Sequence, residues 1–291
     1  MSYSEPVKPP TTLDEQAALL IERGLHVPDQ EVCRRFLYDT SYYRFSGYAR
    51  QFQIDPRRGN NGFVAEATLD KVRRIVQLDT ELSLALLRCL GEVERVVKAR
   101  FAYELAHVFG GFAFYLDAGG YLPVTPGLPA FIDKVAQELR RAKSPTVKRY
   151  AKGEDLTQVP VWVAFELLSF GTVGKILEYL EDRAPRDSVA ASFSEQKATF
   201  SSTIHSLSVL RNRCAHHGQL WHRHLTIQTP LVKRDRRHAP EFDPQSLYPA
   251  FLATGRLLRG NTNTEAALAE VESLLAADPD FTDGILRPLP R

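Results

Sequence analysis

The chain has 291 residues, 44% of them apolar and 25% charged, and a formal net charge of +2. That length can bury a sizeable core in one large domain or two. A charge so close to zero excludes partners held by global basicity, so any nucleic-acid surface must be local. The three cysteines, Cys33, Cys89 and Cys214, are odd in number, far apart and set in apolar patterns, which predicts reduced thiols rather than a disulfide framework. No run approaches the length of a membrane span, and the polar, proline-bearing start does not read as a signal peptide. A soluble cytoplasmic protein without membrane contact is the expectation.

Taken in order, a proline-rich arm leads to Thr12 and Glu15, spaced as a capping box for a helix through Ala17, Leu20 and Ile21 that Gly24 stops. Pro28-Asp29 opens a second helix through Val32, Phe36 and Leu37. It runs into Ser41-Tyr42-Tyr43-Arg44-Phe45-Ser46-Gly47-Tyr48, where Tyr42, Tyr43 and Arg44 could stack on bases or simply pack amphipathically. A turn-rich loop from Asp55 to Gly62 follows. From Leu69 to about Val108 no proline interrupts a long helical pattern carried by Val72, Leu82, Leu86, Leu90, Val93, Val97, Phe101 and Leu105. Asp79 lies within its apolar stripe and Glu94 on the edge, and carboxylates there need partners.

Gly119 to Pro129 is a connection, and a helix is predicted from Pro129 to Lys143, continuing into a basic stretch with Arg140, Arg141, Lys143, Lys148, Arg149 and Lys152. Such a cluster can track a phosphate backbone or be a solvated helix face. Pro160 begins another helix, with Trp162 expected in the core, broken at Gly171 and resumed from Thr172 to Leu180. Ser192 and Glu195 have the spacing of a capping box for the next helix, which Gly218 is expected to stop. Leu225 to Val232 reads as an extended segment, Lys233 to His238 as a basic surface loop, and two final helices are predicted over Pro244 to Leu258 and Thr264 to Ala276. Nearly every element is helical, which predicts an all-α fold.

The densest chemistry is in Arg211-Asn212-Arg213-Cys214-Ala215-His216-His217-Gly218-Gln219-Leu220-Trp221-His222-Arg223-His224, which holds four of the eight histidines. At about 100° per residue, Phe200, Ile204, Leu207, Arg211 and Cys214 share one stripe, which sets a permanent cation in an apolar face. Such an arginine either pairs with a buried carboxylate, for which Glu94 is favoured over Asp79, or faces a seam where an anion arrives. The competing pairing joins each carboxylate to a neighbour such as Arg95 or Arg100. A guanidinium that never titrates and an imidazole that titrates near neutrality are what cutting a phosphodiester requires, with His216 and then His217 as candidates. Trp221, His222 and Arg223 add RNA-facing candidates. Histidine density also raises a metal site, but no thiolate pair or HExxH spacing is present, so no metal and no cofactor is expected.

Several segments in order resemble one family. Lys8-Pro9-Pro10-Thr11, Leu19-Leu20-Ile21-Glu22-Arg23-Gly24-Leu25, Tyr42-Tyr43-Arg44-Phe45-Ser46-Gly47-Tyr48, Val93-Glu94-Arg95, Pro160-Val161-Trp162, Glu166-Leu167-Leu168-Ser169-Phe170-Gly171 and Arg211 to His217 with Leu220-Trp221 are similar to the Abi-like family of bacterial abortive-infection proteins, of the AbiD and AbiF type, within the HEPN superfamily. The likeness covers roughly residues 8–225, leaving 226–291 as a C-terminal helical extension of a single helical domain over 1–291. It implies a HEPN-like helical bundle and a metal-independent endoribonuclease of phage defence. Arg211, Asn212 and His216 match the family's arginine, polar residue and histidine. The resemblance further implies a homodimer in which two such helices form one cleft. An arginine and a histidine about 140° apart on one helix suit convergence from two chains better than a site within one. Asn212, four residues before His216, is placed to orient its ring. The family often carries an arginine and an asparagine where this chain has Gln219 and His222, so the RNA-facing rim is expected to differ. RNA and an antitoxin are the implied partners, and the alternative is a non-catalytic RNA-binding or antitoxin-like HEPN module.

Overall fold

A computed structural model describes residues 9–237 and 239–289. Lys8, the segment before it and His238, the end of the expected basic loop, lie outside the described residues. The chain divides into two compact units, residues 1–81 and 82–291. The fold is all-α, with thirteen α-helices and one two-stranded hairpin among the described residues.

In the first unit, helix α1 (Leu13–Glu22) starts on the expected capping box: Thr12 accepts from the Glu15 amide, and the Glu15 carboxylate accepts from the Thr12 amide. It ends where Gly24, at φ 92°, lets the Leu25 amide reach the Leu20 carbonyl, a left-handed closure open to glycine at little cost. Asp29 caps α2 (Gln30–Thr40) by accepting from the Glu31 and Val32 amides. Ser41, at φ 66°, both ends α2 and caps α3 (Tyr42–Ala49). The expected loop from Asp55 to Gly62 is in part strand: β1 (Gln53–Asp55) runs against β2 (Asn60–Phe63) as a hairpin with its bend at residues 56–59, paired antiparallel with Gln53 opposite Phe63. Strands of three and four residues are too short to show alternation in the sequence. The unit buries Leu20, Leu37, Phe45, Tyr48 and Val72. Asp79 is buried there too and accepts the Tyr48 hydroxyl at 2.6 Å.

Helix α4 (Leu69–Phe109) matches the long proline-free pattern. In the second unit it is followed by two short helical turns, Phe114–Leu116 and Ala118–Gly120, then by α5 (Leu128–Arg141) and α6 (Pro145–Tyr150). Helices α7 (Val161–Leu167) and α8 (Phe170–Tyr179) come next. The break falls at Ser169, whose side chain caps α8, and Gly171 lies inside α8. Glycine serves packing here: a Cβ on Gly174 would stand 3.4 Å from Ile204, so α8 and α10 (Lys197–Ala215) approach closely. Trp162 is 51% exposed rather than in the core. It lies over Gly111, where a Cβ would come within 2.8 Å of the indole.

Ser192 does not cap α10. It is the last residue of α9 (Ala184–Ser192), and Ser194, at φ 56°, closes that helix with the Glu195 amide bonded to the Ala190 carbonyl. Glu195 instead joins Asp235 around the buried guanidinium of Arg256. This cluster anchors the basic loop, in which Lys233, Arg234, Arg236 and Arg237 are exposed. Leu225 to Val232 is irregular rather than a strand, because no neighbouring strand pairs with it and the Leu225 amide bonds to the Gln245 carbonyl. The chain ends in three helices where two were expected: α11 (Tyr248–Leu257), α12 (Glu265–Leu275) and α13 (Pro279–Leu286). No helix among the described residues is long and apolar enough to cross a membrane.

Candidate functional site

The last turns of α10 carry the site. Phe200, Ile204, Leu207 and Cys214 are buried as the stripe requires. Arg211, on the same stripe, is not fully buried: its side chain is 35% exposed. Its Nε donates to Glu94 Oε2 at 3.0 Å. The other Glu94 oxygen lies 2.7 Å from the buried Lys98 ammonium, one helical turn on in α4. One carboxylate thus holds two cations, leaving a local net positive charge. The competing pairings are used elsewhere: Arg95 is bidentate to Glu92, and Arg100 bonds Ser192 and lies 4.0 Å above the Phe193 ring. Lys98 was not foreseen as part of the site, although its spacing of four residues from Glu94 is a readable signal.

Arg211 Nη1 lies 3.3 Å from Asn212 Oδ1, and Nη2 has no hydrogen-bond partner among the described residues. Glu94 and Asn212 therefore hold Nε and Nη1 and leave Nη2 as a donor for an incoming anion. Asn212 reaches His216 through its backbone: its carbonyl accepts the His216 amide at 3.0 Å, while its side chain serves Arg211. His216 is the exposed residue that caps the C-terminus of α10, just past Ala215, and its ring makes no hydrogen bond among the described residues.

The stop itself is built differently from expectation. His217, at φ 53°, is the left-handed residue, with its amide on Cys214 and the Gly218 amide on Arg213. Gly218 is needed for space, since a Cβ there would lie 2.8 Å from Arg213 Cγ. This closure turns the chain so that His216 and His217 are both exposed at the end of α10.

The remaining candidates are divided. Trp221 is 2% exposed, with Nε1 donating to the Asp280 carbonyl and the ring pressed on Gly284 of α13. His222 is buried beside it: Nδ1 accepts from the Leu289 amide at 3.1 Å, and desolvation pushes its pKa down to about 4. These two rings are interior, not surfaces that a strand could reach. Arg223 is half-buried and donates to Gln219 at 2.8 Å. His224 pairs with Asp243 at 3.1 Å, and its carbonyl accepts from Arg213. In α3, Tyr43 is 89% exposed, Tyr42 and Arg44 are half-buried, and Tyr48 is in the core. No group of three or more histidine, cysteine or acidic residues among the described residues could hold a metal ion.

The chain matches no curated protein and no solved structure. A family model described as Abi-like protein matches residues 35–222, well over half of the chain and inclusive of Glu94, Lys98, Arg211 and His216. The chain therefore belongs to the Abi-like protein family.

Proposed function

We propose that the chain is a metal-independent endoribonuclease of the HEPN type, acting as a homodimer in which two copies of the α10 terminus converge on one phosphodiester. Membership of the Abi-like family implies a part in abortive infection, a defence against phage. The observation that carries the reading is Arg211, held at Nε by Glu94 and 35% exposed, five residues before a solvent-facing His216 whose ring makes no hydrogen bond among the described residues. Among the described residues none hydrogen-bonds that imidazole, and a second copy of the helix end would supply such a contact.

In the proposed reaction, imidazole takes the proton of the ribose 2′-hydroxyl. The O2′–P bond forms, the P–O5′ bond breaks, and the departing 5′ oxygen accepts a proton, leaving a 2′,3′-cyclic phosphate and a 5′-hydroxyl. Arg211 binds the non-bridging oxygens as charge builds, and Lys98 with Glu94 holds it in place. The ribose supplies the nucleophile, so the reaction needs no activated water. Arg211→Ala and His216→Ala proteins, shown to be folded, are to be compared with the natural sequence on cellular RNA in the presence of chelator. Loss of new 5′-hydroxyl ends in both variants supports the reading, and full retention of cleavage in both removes it. RNA binding without new ends would favour the non-catalytic module.

A further inference from the structure

The second unit contains a cleft of about 380 Å³ at the end of α5, lined by residues from Leu139 to Leu156. Its floor is apolar, made by the buried side chains of Leu139, Val147 and Leu156. Its rim is cationic. Arg140 is already matched, with Nε 2.9 Å from the Glu154 carboxylate and Nη2 on the Glu154 carbonyl. Lys143 and Lys148 also line the cleft, and neither has an ion-pair partner among the described residues. The walls are held by the frame: Glu138 of α5 accepts from the Ser169 amide and the Thr172 hydroxyl at the start of α8. Lys143 stands at φ 48°, where a glycine would be less strained.

We infer that this cleft binds a nucleotide unit, with the base on the Leu139, Val147 and Leu156 floor and the phosphate between Lys143 and Lys148. The volume falls in the ~300–1,000 Å³ range of small-molecule sites. Two uncompensated cations match a phosphate monoester, and an apolar floor beside them matches a flat base. An acidic peptide offers carboxylates but no such face, so the nucleotide is the better complement. The unit comes either from a free nucleotide or from an RNA strand, and the inference does not depend on RNA cleavage.

The test is calorimetric titration of the full chain with adenosine 5′-monophosphate, ribose 5-phosphate, a 2′-O-methyl decaribonucleotide and an oligoglutamate peptide. The methylated strand has no 2′-hydroxyl, so failure of the nuclease reading leaves the measurement intact. Saturable nucleotide binding is expected at least tenfold tighter than that of ribose 5-phosphate. The double variant Lys143→Gly with Lys148→Gln should weaken it at least tenfold, and because glycine suits the backbone at 143, its melting temperature should not fall. A strand bound more than tenfold tighter than the mononucleotide, and lost in the double variant, assigns the cleft to RNA; equal or weaker strand binding assigns it to a free nucleotide. Absence of nucleotide binding, binding unchanged in the double variant, or equal affinity for oligoglutamate overturns the inference.

Discussion

Glu94 Oε2 and Arg211 Nε meet at 3.0 Å across 117 residues of sequence, and the same carboxylate holds Lys98 at 2.7 Å. This pairing joins α4 to the end of α10 and orients the guanidinium proposed to bind phosphate. Replacing Glu94 with alanine leaves the buried Lys98 ammonium without its counter-charge. A loss of about 2 kcal/mol is expected, below the ~3–5 kcal/mol of fully buried pairs because Arg211 is partly solvated. Urea denaturation of Glu94→Ala measures it. RNA cleavage by the still-folded variant should fall along with it; a variant as stable and as active as the parent would show that the carboxylate does nothing for either cation.

His217 closes α10 in a left-handed conformation that costs a side-chain-bearing residue about 1 kcal/mol relative to glycine. His217→Gly removes that strain together with the ring's own interactions and leaves His216 on the same helix end, so a raised unfolding free energy is expected where the strain outweighs those interactions. Reduced stability would reveal contacts of the His217 ring worth more than the strain.

Gly284 lies inside α13, where alanine ordinarily gains up to about 1 kcal/mol over glycine. Here a Cβ would stand 2.1 Å from Trp221 Nε1, so the indole or the helix must shift. Gly284→Ala is expected to destabilise by about 2 kcal/mol net and to change the fluorescence of Trp221. An unchanged spectrum with a higher melting temperature would mean that α13 adapts freely.

The buried His222 is held neutral, since Nδ1 accepts from the Leu289 amide and desolvation lowers its pKa from 6.5 to about 4. Between those values the unfolded chain binds a proton that the folded chain does not. The histidine's contribution is therefore complete above about pH 6.5 and is lost as pH falls toward 4, a change on the order of 3 kcal/mol. Stability measured across this window should decline for the natural sequence, and His222→Gln should flatten the decline. Parallel pH profiles for the two proteins would exclude His222 as the source.

Trp162 and Trp221 show where the sequence misleads. Trp162 sits in an apolar run and Trp221 among polar and basic residues, yet Trp162 is exposed over Gly111 and Trp221 is buried under α13. Which tryptophan is covered depends on a helix 59 residues further along, whose Asp280 carbonyl receives the indole N–H. Ser192 and Glu195 likewise have the spacing of a helix start, but Arg256 takes Glu195, and the segment closes a helix instead.

The sequence alone determined what local rules encode: the capping box at Thr12, the left-handed stop at Gly24, the 41-residue α4, the all-α character and the stripe that carries Arg211. These depend on residues within a turn or two of each other, so spacing suffices to read them. Tertiary structure decided which carboxylate meets Arg211, that Lys98 shares it, that Asn212 serves the guanidinium rather than the imidazole, and that Trp221 and His222 are interior. Those outcomes rest on partners tens of residues away or on a choice between equally spaced neighbours. Burial and charge pairing are settled by which surfaces come together, and periodicity on one helix carries no information about its partner.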